Sequence, residues 1–369
     1  MVSATPPVVT RTICLLGFGN VGRRFCELVD RKGEELARDH GLRVVFSAVG
    51  TGSHGSLLAP RGITADEVLA LVCNEGEVRN EGGAGGEGEA GGEAGATWSF
   101  PSPVAPGVEL IAASGADLLV EATPLDPHGG RAAIAHLDAA FAHGLDAITV
   151  NKGPIAWDFR RLADLAASRG RRLLFEGTVM DGCPVFSLFR SCLPDCRLLG
   201  FDAVFNSTTN YILDAMGEGV GFADALAHVQ AEGYAETDPS HDIDGHDAAA
   251  KTAALANVLM AAGMTPDDVP KDSLRDVPPE RVAQARAAGH RLRVVCSATQ
   301  DPDAPGARAA VRLTELSAEH PLFNASGSTL SVLLHTDLMG TVQIAERDAL
   351  PEQTAYAVYA DLLAIHEGR

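Results

Sequence analysis

Paired cysteines are the first thing this chain lacks. It has seven in 369 residues: Cys14, Cys26, Cys73, Cys183, Cys192, Cys196 and Cys296. The number is odd and no CxxC pair occurs. The closest spacing, "CLPDC", has no second cluster to complete a zinc site, so reduced and mostly buried thiols are expected. Basic residues are also scarce. Twenty-nine Lys and Arg face 49 Asp and Glu, a net charge of -20. Binding to phosphate backbones or anionic lipid needs clustered cations, so nucleic acid and membrane are excluded as main partners. No apolar run approaches bilayer-spanning length. The opening "MVSATPPVVTRT" lacks a signal-peptide apolar core, and the expected location is cytoplasmic. No internal repeat is found.

What is present has an order. Hydrophobic residues make up 46% and charged residues 21%, the balance of a globular protein, with length enough for two domains. "TICLLGFG" reads as a strand ending in glycines, "NVGRRFCELVDRKGEELARDHG" as an amphipathic helix, and "LRVVFSAVG" as a second strand. This is a βαβ unit, the start of a Rossmann-type doubly wound parallel sheet. "ADLLVEAT" and "LDAITVNKG" continue the alternation around the helical "GGRAAIAHLDAAFAHG". Between them and the first unit, Glu75–Thr97 is a Gly, Glu and Ala tract with little to bury, expected as a flexible surface excursion. After "RRLLFEGTVMDGCP" the pattern changes to helices near 221–232 and 246–263, then antiparallel strands, then a closing helix. The fold class is therefore α/β, with a second α+β domain.

"GFGNVG" places Gly17, Gly19 and Gly22 in dinucleotide spacing, with Phe18, Asn20 and Val21 between them. The first glycine permits a tight turn, the second a close approach of pyrophosphate, and the third close helix packing. The helix N-terminus adds unpaired N–H groups for the phosphates. The next strand ends in "AVGTGSHGS", with no acid to hold a ribose 2′-OH and no Arg for a 2′-phosphate. Thr51, Ser53 and His54, with Arg61 further along, offer hydrogen bonds to a phosphate there. The cofactor is NADP or NAD, with a lean toward NADP.

The stretch "GYAETDPSHDIDGHDAAAK" carries the chemistry. Asp247 and Lys251 are i and i+4 on a helix otherwise rich in Ala, Leu, Val and Met. Burial there would lower the lysine pKa toward the range useful for proton transfer. A surface ion pair fits the spacing equally well. The acidic loop fails the EF-hand pattern. Glu236 suits a substrate ammonium, while Asp238, Asp242 and Asp244 are expected to shape and solvate the turn. His241 and His246 have no partners at ligand spacing. Lys152, just past a predicted strand, is placed to meet ligands at the carboxyl edge of the sheet.

In order and approximate spacing, "GFGNVG", "VNKGP", "EGTVMDGCP", "NSTTNYIL" and "GYAETDPSHDIDGHDAAAK" resemble the homoserine dehydrogenase family, over almost the whole chain outside Glu75–Thr97. The resemblance implies interconversion of L-homoserine and L-aspartate 4-semialdehyde with NAD(P), a step of amino-acid biosynthesis from aspartate. It implies a dinucleotide domain at 10–152 rejoined by a C-terminal helix at 345–369, and a substrate-binding and dimerisation domain at 153–344, in a homodimer. Lys251 falls on the proton-transfer lysine, and Lys152 on a second pocket lysine touching cofactor and substrate. Glu236 and Asp247 fall on the acids that hold the amino acid, with the Gly233 backbone nearby. Thr123 falls beside the nicotinamide. Glu176, Val179, Asp181 and Cys183 fall on a monovalent cation site, Na+ for example. The sequence departs at Ser207, at Met180 and Asp181, and in "AERDALPEQTA", which lacks the family's glycines. Those departures motivate two other readings: a dehydrogenase for another small amino or oxo acid, and a non-catalytic NAD(P)-binding paralogue. No ACT-like or aspartokinase region is read in the chain.

Overall fold

The computed structural model describes residues 7–52, 55–79, 88–89, 97–99, 106–126, 128–232, 238–300 and 306–369. They fall into two compact units, one of Met1–Pro154, Arg160–Thr178 and Pro351–Arg369, the other of Ile155–Phe159 and Val179–Leu350. The expected division at 152/153 differs from this one. Arg160–Thr178 groups with the first unit, because its strand extends the first sheet.

The first unit opens with β1 (Val9–Leu16), α1 (Asn20–Asp39), β2 (Leu42–Gly50), β3 (Ser56–Ile63) and α2 (Ala65–Arg79). It continues with β4 (Gly88–Glu89), β5 (Thr97–Ser99), α3 (Pro106–Ser114), β6 (Leu118–Glu121), α4 (Arg131–Ala142) and β7 (Asp146–Thr149). Next come α5 (Lys152–Ser168), kinked at Asp158, and β8 (Leu173–Leu174). The sheet order is β4-β5-β3-β2-β1-β6-β7-β8. β1 pairs in parallel with β2 on one side and β6 on the other. The chain thus reverses its winding at β1, and the turn that follows sits at the topological switch point where open α/β sheets bind ligands. β3 runs antiparallel to β2, a hairpin that the alternating pattern did not announce. Glu75–Thr97, expected as a surface excursion, supplies the last turn of α2, all of β4 and the first residue of β5; β5 pairs with β3. The rest of that tract lies outside the described residues.

β1 carries Ile13, Cys14, Leu15 and Leu16, all buried. A strand covered on both faces needs this unbroken apolar run. One face packs Phe25, Val29 and Leu36 of α1. The other packs Leu137 and Phe141 of α4 and Leu162 of α5. Each such side chain contributes about 1.5–3 kcal/mol by leaving water.

The second unit contains α6 (Val185–Ser187), β9 (Leu198–Val204), α7 (Ser207–Gly217), α8 (Phe222–Ala231), α9 (Ser240–Ile243) and α10 (His246–Met260). These are followed by α11 (Pro279–Ala287), β10 (Arg291–Gln300), β11 (Ala307–Leu316), β12 (Leu330–Thr336) and β13 (Thr341–Glu346). Its sheet is antiparallel, in the order β11-β10-β9-β12-β13. α10 lies close on it: Cys296 Sγ reaches the Ala248 carbonyl oxygen at 3.8 Å. The alanines at 248–250, 253, 254 and 256 are all buried, and their small side chains permit that approach.

The chain ends with α12 (Pro351–His366), in the first unit. Residues 345 and 346, expected in the closing helix, instead finish β13. Proline at 351 starts the helix because its fixed φ suits the first turn. The preceding turn lacks glycine, yet Asp348 takes a left-handed φ of 57°, which Asp tolerates better than most residues. No described helix is long and apolar enough to cross a membrane.

Candidate active site

The turn between β1 and α1 shows three different jobs for three glycines. Gly17 has φ +93°, and a Cβ there would stand 2.2 Å from the Ala122 carbonyl oxygen. A Cβ on Gly22 would meet the Gly17 carbonyl oxygen at 2.1 Å. A Cβ on Gly19 would meet nothing within 4 Å among the described residues. Gly17 and Gly22 are thus required by the protein itself, and Gly19 leaves open space at the helix N-terminus. No described side chain caps α1 and no acid occupies its first turn. Bare N–H groups with a positive dipole end fit a pyrophosphate. Phe18 and Val21 pack on the core beside this turn, and Asn20 is exposed. At the tip of β2, the Thr51 hydroxyl donates to the Gly55 carbonyl at 2.9 Å. Ser53 and His54 lie outside the described residues, and Arg61 is exposed on β3.

A buried carboxylate organises the neighbouring strand ends. Glu121, at the end of β6, is fully buried. Its Oε1 accepts from the Thr123 N–H at 3.2 Å and from the Thr123 hydroxyl, and its Oε2 accepts from the Thr149 hydroxyl at 2.9 Å. His136 Nδ1 stands 3.5 Å from Oε1. Thr149 Oγ1 in turn accepts from the Asn151 N–H at 3.0 Å. Asn151 caps α5 through Gly153 N–H at 2.9 Å, and its Nδ2 donates to the Thr123 carbonyl at 3.0 Å. One network therefore fixes Thr123 and the helix turn that begins at Lys152. Sequence reading singled out both ends of it but not Glu121, Thr149 or Asn151; the acid closing the apolar run "LLVE" was the available signal.

The second unit gathers a charged cluster. Lys251 and Asp247 are both largely buried, with side-chain exposures of 16% and 11%, and Nζ lies 3.1 Å from Asp247 Oδ2. Nζ also donates to the Phe205 carbonyl at 2.8 Å. Asn206 Nδ2 donates to Asp242 Oδ1 at 2.7 Å and to Asp247 Oδ2 at 3.2 Å, while its Oδ1 accepts from Thr209 N–H and caps α7. The pair is thus not a surface ion pair. Burial works to lower the Lys251 pKa, but Asp247, Asp181 and Asp242 outweigh it and hold the ammonium above the ordinary lysine value. This corrects the expectation of a depressed pKa: burial came with Asp181 and Asp242 beside Asp247, and those two lie outside the helix. Asp242 is corrected too. Asp238 and Asp244 do shape the turn, bonding the Ser240 N–H and the Arg275–Ser273 pair. Asp242 instead joins the cluster, and burial, then repulsion from Asp247, raises its pKa. One ammonium facing three carboxylates leaves the cluster negative, a setting that favours a second cation such as a substrate ammonium.

Gly233 and Glu236, expected substrate contacts, lie outside the described residues. His241 and His246 are exposed, their rings 6.0 Å apart. Among the expected cation ligands, Glu176 is buried in the first unit, its N–H bonded to Asp361 Oδ2 at 2.9 Å. Val179 and Cys183 are buried in the second unit, with Asp181 between them at φ 45°. Beside this segment stands Glu346, at the end of β13, which sequence reading missed. Burial, reinforced by Asp181, pushes its pKa up to about 7, and its Oε2 is buried without a hydrogen-bond partner among the described residues. Among the described residues no group of three or more His, Cys, Asp or Glu side chains is arranged to hold a metal ion.

Comparison with known proteins agrees with this architecture. Residues 184–363 match the family model described as homoserine dehydrogenase. The NAD(+)-dependent homoserine dehydrogenase of Pseudomonas canavaninivorans is 31% identical over 96% of this chain and 96% of its own. The homoserine dehydrogenase of Sulfurisphaera tokodaii is 32% identical over 68% of this chain and 77% of its own. Among solved structures, a putative homoserine dehydrogenase from Archaeoglobus fulgidus superposes with a TM-score of 0.80 at 27% identity, covering 96% of this chain and 99% of that one. A hyperthermophilic archaeal homoserine dehydrogenase in complex with NADPH shares the fold, with a TM-score of 0.77 at 24% identity, covering 98% and 99%.

Proposed function

The chain belongs to the homoserine dehydrogenase family, and on that premise we propose that it interconverts L-homoserine and L-aspartate 4-semialdehyde, a biosynthetic step in the cytoplasm. The observation that carries this reading is the buried Lys251 ammonium, held by Asp247 and the Phe205 carbonyl beneath an acid cluster. The nicotinamide cofactor, when bound, supplies the hydride to the aldehyde carbon and recovers it in the reverse direction. The protein handles the proton and the orientation.

In reduction, charge develops on the aldehyde oxygen, and Lys251 donates the proton that completes the alcohol. Its raised pKa keeps it charged until that moment. In oxidation, neutral lysine accepts the hydroxyl proton. Asp247 holds Nζ in place, and together with Glu236 and the Gly233 backbone it binds the amino-acid ammonium. Lys152, at the first turn of α5, contributes positive charge to cofactor and substrate. Gly17 through Gly22 hold the pyrophosphate, and Thr123 borders the nicotinamide.

NADP is our first choice of cofactor, supported by the lack of an acid at the tip of β2. The NAD(+) dependence of the Pseudomonas relative supports the other choice. The ratio of kcat/KM with NADPH and NADH decides between them. A monovalent cation at Glu176, Val179, Asp181 and Cys183 is supported by Glu346 beside that segment, whose buried Oε2 has no hydrogen-bond partner among the described residues; activity in Na+ against a bulky organic cation tests it. A homodimer through the second unit is supported by the exposed Leu338 and Met339 at the β12–β13 turn, and light scattering tests it. The main test is a steady-state assay on L-homoserine with both cofactors. Turnover on another amino or oxo acid with none on homoserine would overturn the substrate assignment.

A further inference from the structure

The second unit holds a cavity of about 470 Å³ at the C-terminal end of α7. That volume suits a small organic molecule. Arg286, Arg291, Arg293 and His290 line it, against Asp214 and Glu218. In a chain of net charge -20, three arginines around one cavity run against the overall composition.

The arginines are not equivalent. Arg293 is almost fully buried and builds the wall. Its Nη2 donates to Asp214 Oδ1 at 2.5 Å, its Nε to the Ala325 carbonyl at 2.6 Å and its Nη1 to the Leu292 carbonyl at 2.8 Å. Asp214 Oδ2 accepts from Gly327 N–H at 3.0 Å, so this acid is fully engaged. Among the described residues Arg291 makes one hydrogen bond, to the Phe323 carbonyl at 3.3 Å, and it lies 4.6 Å over the Phe323 ring. The ring fixes its guanidinium, and its remaining N–H donors meet no carboxylate among the described residues. Arg286 stands 3.9 Å from Glu218, and both are more than half exposed, a pair worth little in water. Leu213, Val282 and Leu292 add apolar wall. Fixed guanidinium donors beside an aromatic ring and aliphatic side chains recognise a carboxylate on an apolar body.

We propose that this cavity is a second ligand site, separate from the Lys251 cluster, which takes a small organic carboxylate with an apolar or aromatic body, its carboxylate on Arg291 and Arg286. α7 joins the two places. Its first turn is capped by Asn206, which grips Asp242 and Asp247. Its last turn, at Leu213, Asp214 and Gly217, lines the cavity.

Benzoate and its uncharged analogue benzamide test the proposal on the full chain by isothermal titration. Benzoate is expected to saturate at about 1 mM or below, and benzamide to bind at least about tenfold more weakly. Arg291→Gln is expected to weaken benzoate at least about tenfold, with the thermal midpoint and the turnover without benzoate retained. Arg286→Gln, at a more exposed position, gives the same reading should the first variant fold poorly. No saturable benzoate binding up to about 10 mM, or binding unchanged in both variants, overturns the proposal.

Discussion

The β1–α1 turn and the α10 cluster are built on opposite plans. In the first, the working parts are backbone: three glycines and a helix N-terminus, contiguous in sequence. In the second, the working parts are side chains from separate segments: Asp181, Asn206, Asp242, Asp247 and Lys251. Backbone function is written in spacing. Side-chain function depends on what the fold brings alongside, and on how burial and opposing charge balance there.

The most severe break in the second plan is Lys251→Ala. Homoserine turnover should fall about 10²–10⁴-fold, with the circular dichroism spectrum retained. Near wild-type turnover would remove the lysine from the mechanism. In the first plan the sharper experiment is a pair. Gly17→Ala forces a Cβ against the Ala122 carbonyl at left-handed φ and should lower both the thermal midpoint and cofactor affinity. Gly19→Ala meets no described atom of the protein and should weaken cofactor binding about tenfold or more with the midpoint unchanged. Equal midpoints in the two variants would show that the glycines do not divide the work as the geometry indicates.

Asp247→Asn probes charge in the cluster. Oxidation of homoserine needs neutral Lys251, and that fraction grows as pH rises toward a pKa held above the usual lysine value. The oxidation rate should therefore climb through the alkaline range, while reduction, which needs the ammonium, stays flat below that pKa. Removing the Asp247 charge should move the oxidation limb to lower pH. A limb that does not move would mean the titrating group is not Lys251. The acids' contribution to folding has the same sign: it is complete below the unfolded lysine pKa and is lost as pH rises through the folded one.

A smaller effect is expected at Glu121, where the side chain meets both plans by supporting backbone. Glu121→Gln replaces one acceptor oxygen with a donor facing hydroxyls and should cost about 1–3 kcal/mol of stability, with a severalfold rise in cofactor KM; denaturant titration and kinetics read both. The smallest effect belongs to Asp244→Ala, which breaks a partly exposed pair with Arg275. It should cost about 0–1 kcal/mol and leave turnover intact.

Much of the fold was legible, for local reasons. The apolar run before Gly17, the helical period of α1 and the alternation of β10 to β13 each reflect neighbours in sequence. The antiparallel β3 was not legible, because "SLLAPRGI" holds a proline and a glycine that weaken any strand reading. The site was half legible. Lys251 and Asp247 stood out at i,i+4, and Thr123 and Lys152 at strand ends. Asp242 was read as a turn residue because its hydrogen-bond donor, Asn206, lies 36 positions earlier. Glu346 was placed in the closing helix, because nothing local showed that it ends β13 beside Asp181.

The sequence by itself determined the dinucleotide turn, since Gly17 and Gly22 are required by contacts their own βα unit and its adjacent strand create. It also determined the charge that arrives at α10. Only the tertiary structure decided what that charge does. Burial alone would have depressed the Lys251 pKa, but Asp247 one turn away on α10, joined by Asp181 and Asp242 that the fold brings alongside, raised it. The direction of a proton depends on distances between side chains, and those distances exist only once the chain has folded.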